Sequence, residues 1–234
     1  LPLAATANEL DVPVTVVGTS SKFIGSGFSF RNTFRQGSDV TLRNLELSGS
    51  GNRGLRVTDS TALLEGIGIS GNQGNTGAGA SLSGATVTIR DSGFVANVSN
   101  NSGGAIYASS SVVEIEDTVF VSNSMSRGAI FAIGSQVEID RALFAGNVAV
   151  VATAIEAAAE SQVVVDNSIV TNQQGGTPFR IVNGAILKAS NLTIAENDHS
   201  DASISFNSGS LTMRNSIVWD AGIPRADMER DALR

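Results

Sequence analysis

The stretch FVSNSMSRGAIFAIGS, residues 120–135, repeats most of the pattern of FVANVSNNSGGAIYASSS, residues 94–111. Each copy begins with Phe-Val-x-Asn, continues through a Ser- and Gly-rich segment, and ends in an Ala-Ile-x-Ala segment. A third copy has FAGN at residues 144–147 and ATAIEA at residues 152–157. Repetition at a period of about 20–50 residues is the signature of a fold built from stacked, equal units.

Asparagines mark the period of the repeat. Spacings of 25, 26, 24, 25 and 25 residues separate Asn72, Asn97, Asn123, Asn147, Asn172 and Asn197. Ser50 and Asp220 extend the series at slightly shorter spacings of 22 and 23 residues. The period therefore runs through most of the chain.

Each unit carries apolar residues in a pattern that indicates strands rather than helices. The pattern is two alternating pairs separated by an interruption, as in Val40, Leu42, Leu45 and Leu47. Alternation with a period of two predicts a strand, so one interruption predicts a strand, a bend and a second strand. A third short strand follows the asparagine, with Ser- and Gly-rich turns between them.

Three short strands cannot enclose a core alone, but stacked units would pair each strand with its equivalents above and below. The sequence therefore predicts an all-β parallel solenoid of about eight or nine coils, each of roughly 25 residues. We assign residues 1–220 to one domain, with an N-terminal cap and the first coils in 1–39 and regular repeats in 40–220. Residues 221–234 would be a C-terminal tail or linker. In this fold the asparagine column is an internal ladder whose amides bond along the stack.

Composition narrows the classes of partner and chemistry. The chain has 234 residues, a net charge of -7 and no cysteine. Nucleic acids and anionic membranes call for clustered Lys and Arg, so we expect neither as a partner. The chain lacks an apolar run of the roughly 18 residues that a membrane span needs. Thiol catalysis and thiolate metal sites are excluded.

Several segments resemble known β-helix families. FVAN with GGAIYA, FVSN with RGAIFA and FAGN with ATAIEA are similar to the repeats of polymorphic outer membrane proteins. LTMRNSIVWD and VDNSIV resemble closing repeats of secreted bacterial proteins of the pectin-lyase-like superfamily, and VTVVGTSSKFIGSGFSF with VTLRNLELSGSG resembles their first coils. The resemblance covers about residues 10–220. It implies a right-handed parallel β-helix that is secreted or displayed on a bacterial surface, and it leaves the activity open, because the superfamily includes lyases, hydrolases, epimerases and adhesins.

Aligning the coils places charged side chains in one outward column: Arg43, Glu65, Arg90, Glu116, Asp140 and Asp166. The first three alternate in sign, but the last three are all acidic. Adjacent columns add Glu114, Glu138 and Asp117, which makes six carboxylates over three coils. We name these six residues the acidic patch: Glu114, Glu116, Asp117, Glu138, Asp140 and Asp166. Three interpretations remain open: a solvated face, a weak calcium site, or paired catalytic carboxylates. Arg141, beside the patch, is a candidate compensating charge.

For function, we consider first a structural or adhesive interaction scaffold without catalytic activity. The alternative is a polysaccharide lyase or hydrolase that uses a groove on one sheet face. The scaffold is favoured because the acid, base and histidine segments typical of pectin-acting enzymes are missing, and because Tyr107 and Trp219 are four to five coils apart. His199 is expected to be a solvated surface residue. The outward positions do not form the regular Thr column that an ice- or mineral-binding face requires. We expect a surface protein or a polysaccharide as partner, and end-to-end or lateral self-association is compatible with such a rod.

Overall fold

The computed structural model describes residues 14–24, 28–31, 39–199 and 202–220. These residues form 28 β-strands and no helix. In chain order the strands are β1 (Val14–Ile24), β2 (Phe28–Arg31), β3 (Asp39–Ser48), β4 (Leu55–Thr58), β5 (Thr61–Glu65), β6 (Gly68–Ser70), β7 (Gln73–Thr76), β8 (Ala80–Ser83), β9 (Thr86–Arg90), β10 (Gly93–Val95), β11 (Val98–Ser102), β12 (Ile106–Ser109), β13 (Val112–Glu116), β14 (Val119–Val121), β15 (Ser124–Arg127), β16 (Ile130–Ile133), β17 (Gln136–Asp140), β18 (Leu143–Ala145), β19 (Val148–Ala158), β20 (Gln162–Asp166), β21 (Ile169–Thr171), β22 (Gln174–Val182), β23 (Ile186–Ser190), β24 (Thr193–Ala195), β25 (Asp198–His199), β26 (Ile204–Asn207), β27 (Ser210–Arg214) and β28 (Ile217–Trp219).

The strands form two parallel sheets, sheet A with 16 strands and sheet B with 12. Each sheet contains two rows, where a row is the stack of equivalent strands from successive coils. Within sheet A, row 1 comprises the first half of β3 followed by β5, β9, β13, β17, β20, β23 and β27, and row 2 comprises the second half of β3 followed by β6, β10, β14, β18, β21, β24 and β28. Within sheet B, row 3 contains β7, β11, β15 and β25, row 4 contains β2, β4, β8, β12, β16 and β26, and the long strands β19 and β22 run through both rows. From β5 to β26 the chain passes through rows 1 to 4 once in each turn.

The predicted fold class is confirmed, with a correction to the number of coils. The described residues complete about seven turns rather than eight or nine. Part of the predicted 1–39 cap is described as β1, which pairs with β3, and β2, which pairs with β4. The predicted tail, residues 221–234, lies outside the described residues. The described residues form no helix that is long and apolar enough to cross a membrane.

The bend between rows 1 and 2 is a single residue with a left-handed backbone. Val40 and Leu42 before the bend and Leu45 and Leu47 after it all point into the core. The second of the two residues between the pairs has a positive φ in every coil from β3 onward: Asn44, Gly66, Asp91, Asp117, Arg141, Asn167, Asn191 and Asn215. One such residue shifts the alternation by one position, which explains the interruption in the apolar pattern.

Equivalent side chains stack inside the solenoid. The rings of Phe94 and Phe120 have centroids 5.3 Å apart and planes 14° apart, and those of Phe120 and Phe144 are 4.7 Å and 11° apart. All three side chains are fully buried. Each such pair contributes about 0.5–1.5 kcal/mol beyond its burial. The Phe of the Phe-x-x-Asn repeat is therefore the core residue of row 2.

The asparagines form a buried ladder at the corner between rows 2 and 3. Asn72, Asn97, Asn123 and Asn147 are fully buried. The Oδ1 atom of Asn123 accepts both the backbone N–H and the Nδ2–H of Asn97, at 3.0 and 3.1 Å. The Nδ2 atom of Asn123 in turn donates to the carbonyl of Phe94 at 2.9 Å and to Oδ1 of Asn147 at 3.0 Å. The ladder begins at Ser50, whose N–H donates to Asn72, and ends at Asp220, which accepts from Asn197.

The assignment of Asn172 to this ladder is wrong, because Gln173 occupies the corner. Asn172 is exposed and has a φ of 53°, whereas Gln173 is fully buried. The longer Gln173 side chain turns back so that Nε2 donates to the carbonyl of Thr171 at 2.9 Å. Its Oε1 atom is buried and has no hydrogen-bond partner within the described part of the chain. The ladder is therefore interrupted between Asn147 and Gln173.

Serine ladders serve the other two corners of sheet A. Between rows 4 and 1, the N–H of Ser111 donates to Oγ of Ser135, and the N–H of Ser135 donates to Oγ of Ser161, both at 3.1 Å. At the bend between rows 1 and 2, Ser92 and Ser168 accept backbone N–H groups one coil earlier. These hydroxyls satisfy buried backbone donors that strand pairing cannot reach.

We predict that Asn123→Ala lowers the free energy of unfolding by about 1 to 3 kcal/mol, because the buried N–H and carbonyl groups around it lose their partners. The matched control is Asn172→Gly, since glycines 71 and 146 already occupy the same left-handed position in other coils. That change should alter stability by less than about 0.5 kcal/mol. Urea unfolding of the two variants decides the matter, and equal losses would contradict a ladder through residue 123.

Candidate functional site

Row 1 carries the predicted charged column. Strand pairing places Arg43, Glu65, Arg90, Glu116, Asp140 and Asp166 beside one another in successive coils. Arg43 pairs with Glu65 at 2.8 Å and Arg90 with Glu116 at 3.3 Å, and all four side chains are well exposed. Pairs of this kind contribute little to stability. The acidic part borders an open depression of about 240 Å³, which is smaller than the about 300–1,000 Å³ of typical ligand sites.

Arg141 compensates the charge of the acidic patch. Its guanidinium group contacts the carboxylates of Glu116 and Asp140, and it donates to both oxygens of Asp117 at 2.7 and 2.8 Å. The hydrogen bonds from Arg141 hold the pKa of Asp117 below its usual range, despite some opposing desolvation. The prediction that Arg141 is a compensating charge is thus confirmed, and the column itself has no positive residue between Glu116, Asp140 and Asp166. Arg141 lies at the row 1–row 2 bend, outside the columns that the alternation defines.

Asp140 and Asp166 also have neutral partners. Asn167 donates to Oδ1 of Asp140 at 2.7 Å, and Ser190 donates to Asp166. Among the described residues, no group of three or more His, Cys, Asp or Glu side chains is arranged to hold a metal ion. The calcium hypothesis therefore rests on the number of carboxylates alone.

We predict that calcium chloride and sodium chloride at matched ionic strength change the melting temperature of the parent chain equally, because screening alone acts on the patch. In Arg141→Gln, three carboxylates lose their cation, and calcium should then raise the melting temperature more than sodium does. Arg214→Gln removes an exposed arginine elsewhere on row 1 and should behave like the parent. A calcium-specific increase in the parent would contradict this account.

The last coil holds His199 in a buried polar cluster, which corrects its prediction as a solvated residue. The side chains of His199 and Asp220 are only 2% and 5% exposed, and Nε2 of His199 lies 3.0 Å from Oδ2 of Asp220. Ser203 also donates to Oδ2, while Oδ1 accepts from Asn197. Burial raises the pKa of Asp220, but the bonds from Ser203, Asn197 and His199 outweigh it and the pKa lies below its usual value. Asp220 therefore stabilises the last coil above the unfolded pKa of about 3.9, and this contribution is lost as the pH falls through the lower folded value.

The outer face of row 4 carries a second constellation, which we name the row-4 cluster. It consists of Arg127, Tyr107, Phe131, Glu156 and Arg180. Strand pairing places Tyr107, Phe131, Glu156 and Arg180 in consecutive positions of one column. Their neighbours in each strand, such as Ile130 and Ala132, point into the core, so the column faces outward.

Two arginines hold the Glu156 carboxylate. Its side chain is completely buried, whereas those of Arg127 and Arg180 are 35% and 30% exposed. Arg127 donates from Nε to Oε2 at 3.1 Å and from Nη2 to Oε1, and Arg180 donates from Nη1 to the same Oε1. The bond to Glu156 raises the pKa of Arg127. One buried carboxylate between two guanidinium groups leaves a net charge of +1 at this point of an acidic protein.

Aromatic rings adjoin this charge. The Arg127 guanidinium carbon lies 4.8 Å from the centroid of the Phe131 ring, a cation–π distance. The Tyr107 and Phe131 rings are 5.7 Å apart. Phe131 also packs with Ala158, Val182 and Ile133 in an apolar group separate from the main core. We name these four residues and Tyr107 the outer apolar patch.

Sequence reasoning missed the row-4 cluster because it treated the Ala-Ile-x-Ala segments as core signals only. The variable position x of successive copies is Tyr107, Phe131 and Glu156, and this column would have revealed the cluster. Tyr107 was instead compared with Trp219, which lies on row 2 and is 67% exposed. The two rings belong to different faces of the solenoid, so they do not form one binding site.

A model of the right-handed β-helix region matches residues 94–224, more than half of the chain. The chain belongs to this right-handed β-helix family. No curated protein and no solved structure matches it significantly. The family assignment indicates that the solenoid is right-handed. Connections between parallel strands of one sheet are almost always right-handed as well. The matched residues include both the row-4 cluster and the acidic patch.

Proposed function

We propose that this right-handed β-helix is a rigid, non-catalytic interaction module, secreted or displayed on a bacterial surface. It presents row 4 to a surface protein or a polysaccharide. The observation that carries the proposal is the row-4 cluster, in which two partly exposed arginines and the partly exposed Tyr107 lie around the buried Phe131 ring and the buried Glu156 carboxylate. Arg, Tyr and Phe are enriched in binding interfaces, and Arg and Tyr are frequent among the residues that dominate binding energy.

The solenoid supports this role through its rigidity. Each coil is bonded to its neighbours by four rows of strand pairs and by side-chain ladders at the corners. Outward side chains in one row are therefore held at a repeat of about 4.8 Å. A partner meets a preorganised surface, and less conformational entropy is lost on binding.

The charges of the acidic patch support a role without catalysis. A carboxyl group that acts as a general acid near neutral pH needs a raised pKa. Asp117 instead has a lowered pKa, because Arg141 binds its charged form. Arg141 also contacts Glu116 and Asp140, so these acids are arranged for charge compensation.

We propose a location outside the cell because of the families that the repeats resemble. The Phe-x-x-Asn and Gly-Ala-Ile segments resemble polymorphic outer membrane protein repeats, and the first and last coils resemble secreted proteins of the pectin-lyase-like superfamily. The absence of cysteine is compatible with this location because the ladders supply the cross-links that disulfides provide in many secreted domains.

The alternative is a polysaccharide lyase or hydrolase. It is favoured by the open depression on row 1, whose lining includes Glu114, Glu138 and Asp166. Two carboxylates across a sugar are the usual machinery of glycoside hydrolysis.

We predict no turnover of pectate, alginate or related polyuronates by the intact chain, measured by release of reducing ends and of unsaturated products. The reason is the compensation of the acidic patch by Arg141. Asp140→Asn, Asp166→Asn and, as a control on the same column, Glu65→Gln should all give the same background as the parent. Turnover that is lost in Asp140→Asn or Asp166→Asn but retained in Glu65→Gln would overturn the proposal and establish the enzyme.

A further inference from the structure

We infer that the row-4 cluster binds a polypeptide segment in which an Asp or Glu side chain lies beside an aliphatic or aromatic one. This inference rests on the proposed function and specifies the chemistry of the partner. The acidic side chain would bind Arg127 and Arg180, and the neighbouring apolar side chain would contact Tyr107 and Ile133, the partly exposed residues of the outer apolar patch.

The charge balance of the cluster calls for one further carboxylate. Glu156 neutralises one of the two guanidinium groups and is fully buried, so it cannot move out to bind a cation. Arg127 uses Nε and Nη2 for Glu156, and Arg180 uses Nη1. Each arginine has five N–H donors, so both keep donors for a second carboxylate. Both are about one-third exposed, which gives a ligand access to them.

The apolar surface lies immediately beside this charge. Glu156 and Arg180 are paired across strands β19 and β22. Ala158 follows Glu156 by two residues in β19, and Val182 follows Arg180 by two residues in β22, so both lie on the same face as the charged pair. They pack with Phe131, and these three residues are only 4–5% exposed, so the accessible apolar surface is that of Tyr107 and Ile133, which pack against them. Arg127 lies 4.8 Å from the Phe131 ring, which lies 5.7 Å from the Tyr107 ring. A ligand that contacts both Arg127 and Tyr107 must carry a charge and an apolar group within reach of each other, as neighbouring side chains of a polypeptide do.

The same geometry disfavours an acidic polysaccharide. A polyuronate carries a charge on each sugar and is matched by a row of cations, whereas here two arginines converge on one carboxylate. Sugars stack on open aromatic faces. Phe131 is only 5% exposed, and the Arg127 guanidinium lies over its ring. The row-4 cluster therefore offers a single charge beside an apolar surface.

The test is selection of a phage-displayed random dodecapeptide library on the immobilised intact chain. The parent should enrich peptides in which Asp or Glu adjoins Leu, Ile, Val or Phe. Arg180→Gln, whose side chain is partly exposed, and Tyr107→Ser, whose column neighbour is already Ser81, should both lose this enrichment. Arg214→Gln on row 1 should retain it. Melting curves establish that each variant is folded.

A synthetic copy of one selected peptide then tests whether its acidic residue binds Arg180, by a double-mutant comparison of binding affinities. Replacing its acidic residue by the corresponding amide should weaken binding to the parent at least tenfold and binding to Arg180→Gln less than twofold. Selection of no peptide, selection without acidic residues, or equal enrichment by Arg180→Gln would overturn the inference. So would binding of hexagalacturonate that depends on Arg180. If one of these outcomes occurs and the chain does not turn over polyuronates, the peptide inference fails but the proposed non-catalytic interaction module stands. If the chain does turn over polyuronates, the proposed function itself fails.

Discussion

A buried amide that must be satisfied from the coils on either side is the constraint on which this structure depends. The corner asparagines are fully buried, and an unpaired amide there would cost several kcal/mol in an apolar medium and about 1–3 kcal/mol by mutational measures. Only one offset between successive coils brings Oδ1 of Asn123 to the N–H and Nδ2–H of Asn97. The ladder thus specifies register, which the small and aliphatic residues of the core specify only weakly. The serine corners repeat the same device with a shorter side chain.

Because the register is fixed, outward residues at equivalent positions of successive coils lie beside one another in a column. The residue types in each column determine the chemistry of that face. On row 1 it brings like charges together, and Arg141 at the adjoining bend binds three of them. On row 4 it places Glu156 between Phe131 and Arg180 and within reach of Arg127. The two faces differ accordingly: one is acidic and solvated, and the other combines a net positive charge with apolar surface. A rigid rod with such distinct faces is suited to holding a partner in one orientation.

The sequence sufficed for features that repeat in every coil. The period, the four apolar positions around the bend and the charged column from Arg43 to Asp166 were all predictable, because they depend on alternation alone. Features that break the period were not. Asn172 fits the average spacing of 25 residues better than Gln173, although the local turn places Gln173 inside. His199 acquires its partner Asp220 from 21 residues further along the chain, and the burial of Glu156 depends on two arginines that are 29 and 24 residues away. Such contacts depend on side-chain reach in three dimensions, which a one-dimensional pattern does not contain.

Hydrogen exchange at two equivalent backbone amides tests the ladder most directly. The N–H of Asn123 donates to Oδ1 of Asn147 at 3.0 Å. The N–H of Asn147 occupies the same corner one coil later, but no side-chain oxygen of the described residues accepts it, because Gln173 has turned away. Measured by NMR under native conditions, the Asn123 amide should exchange at least tenfold more slowly than the Asn147 amide, as expected for about 1.4 kcal/mol or more of additional protection. Equal exchange rates at the two amides would contradict the claim that the asparagine side chains hold the coils in register.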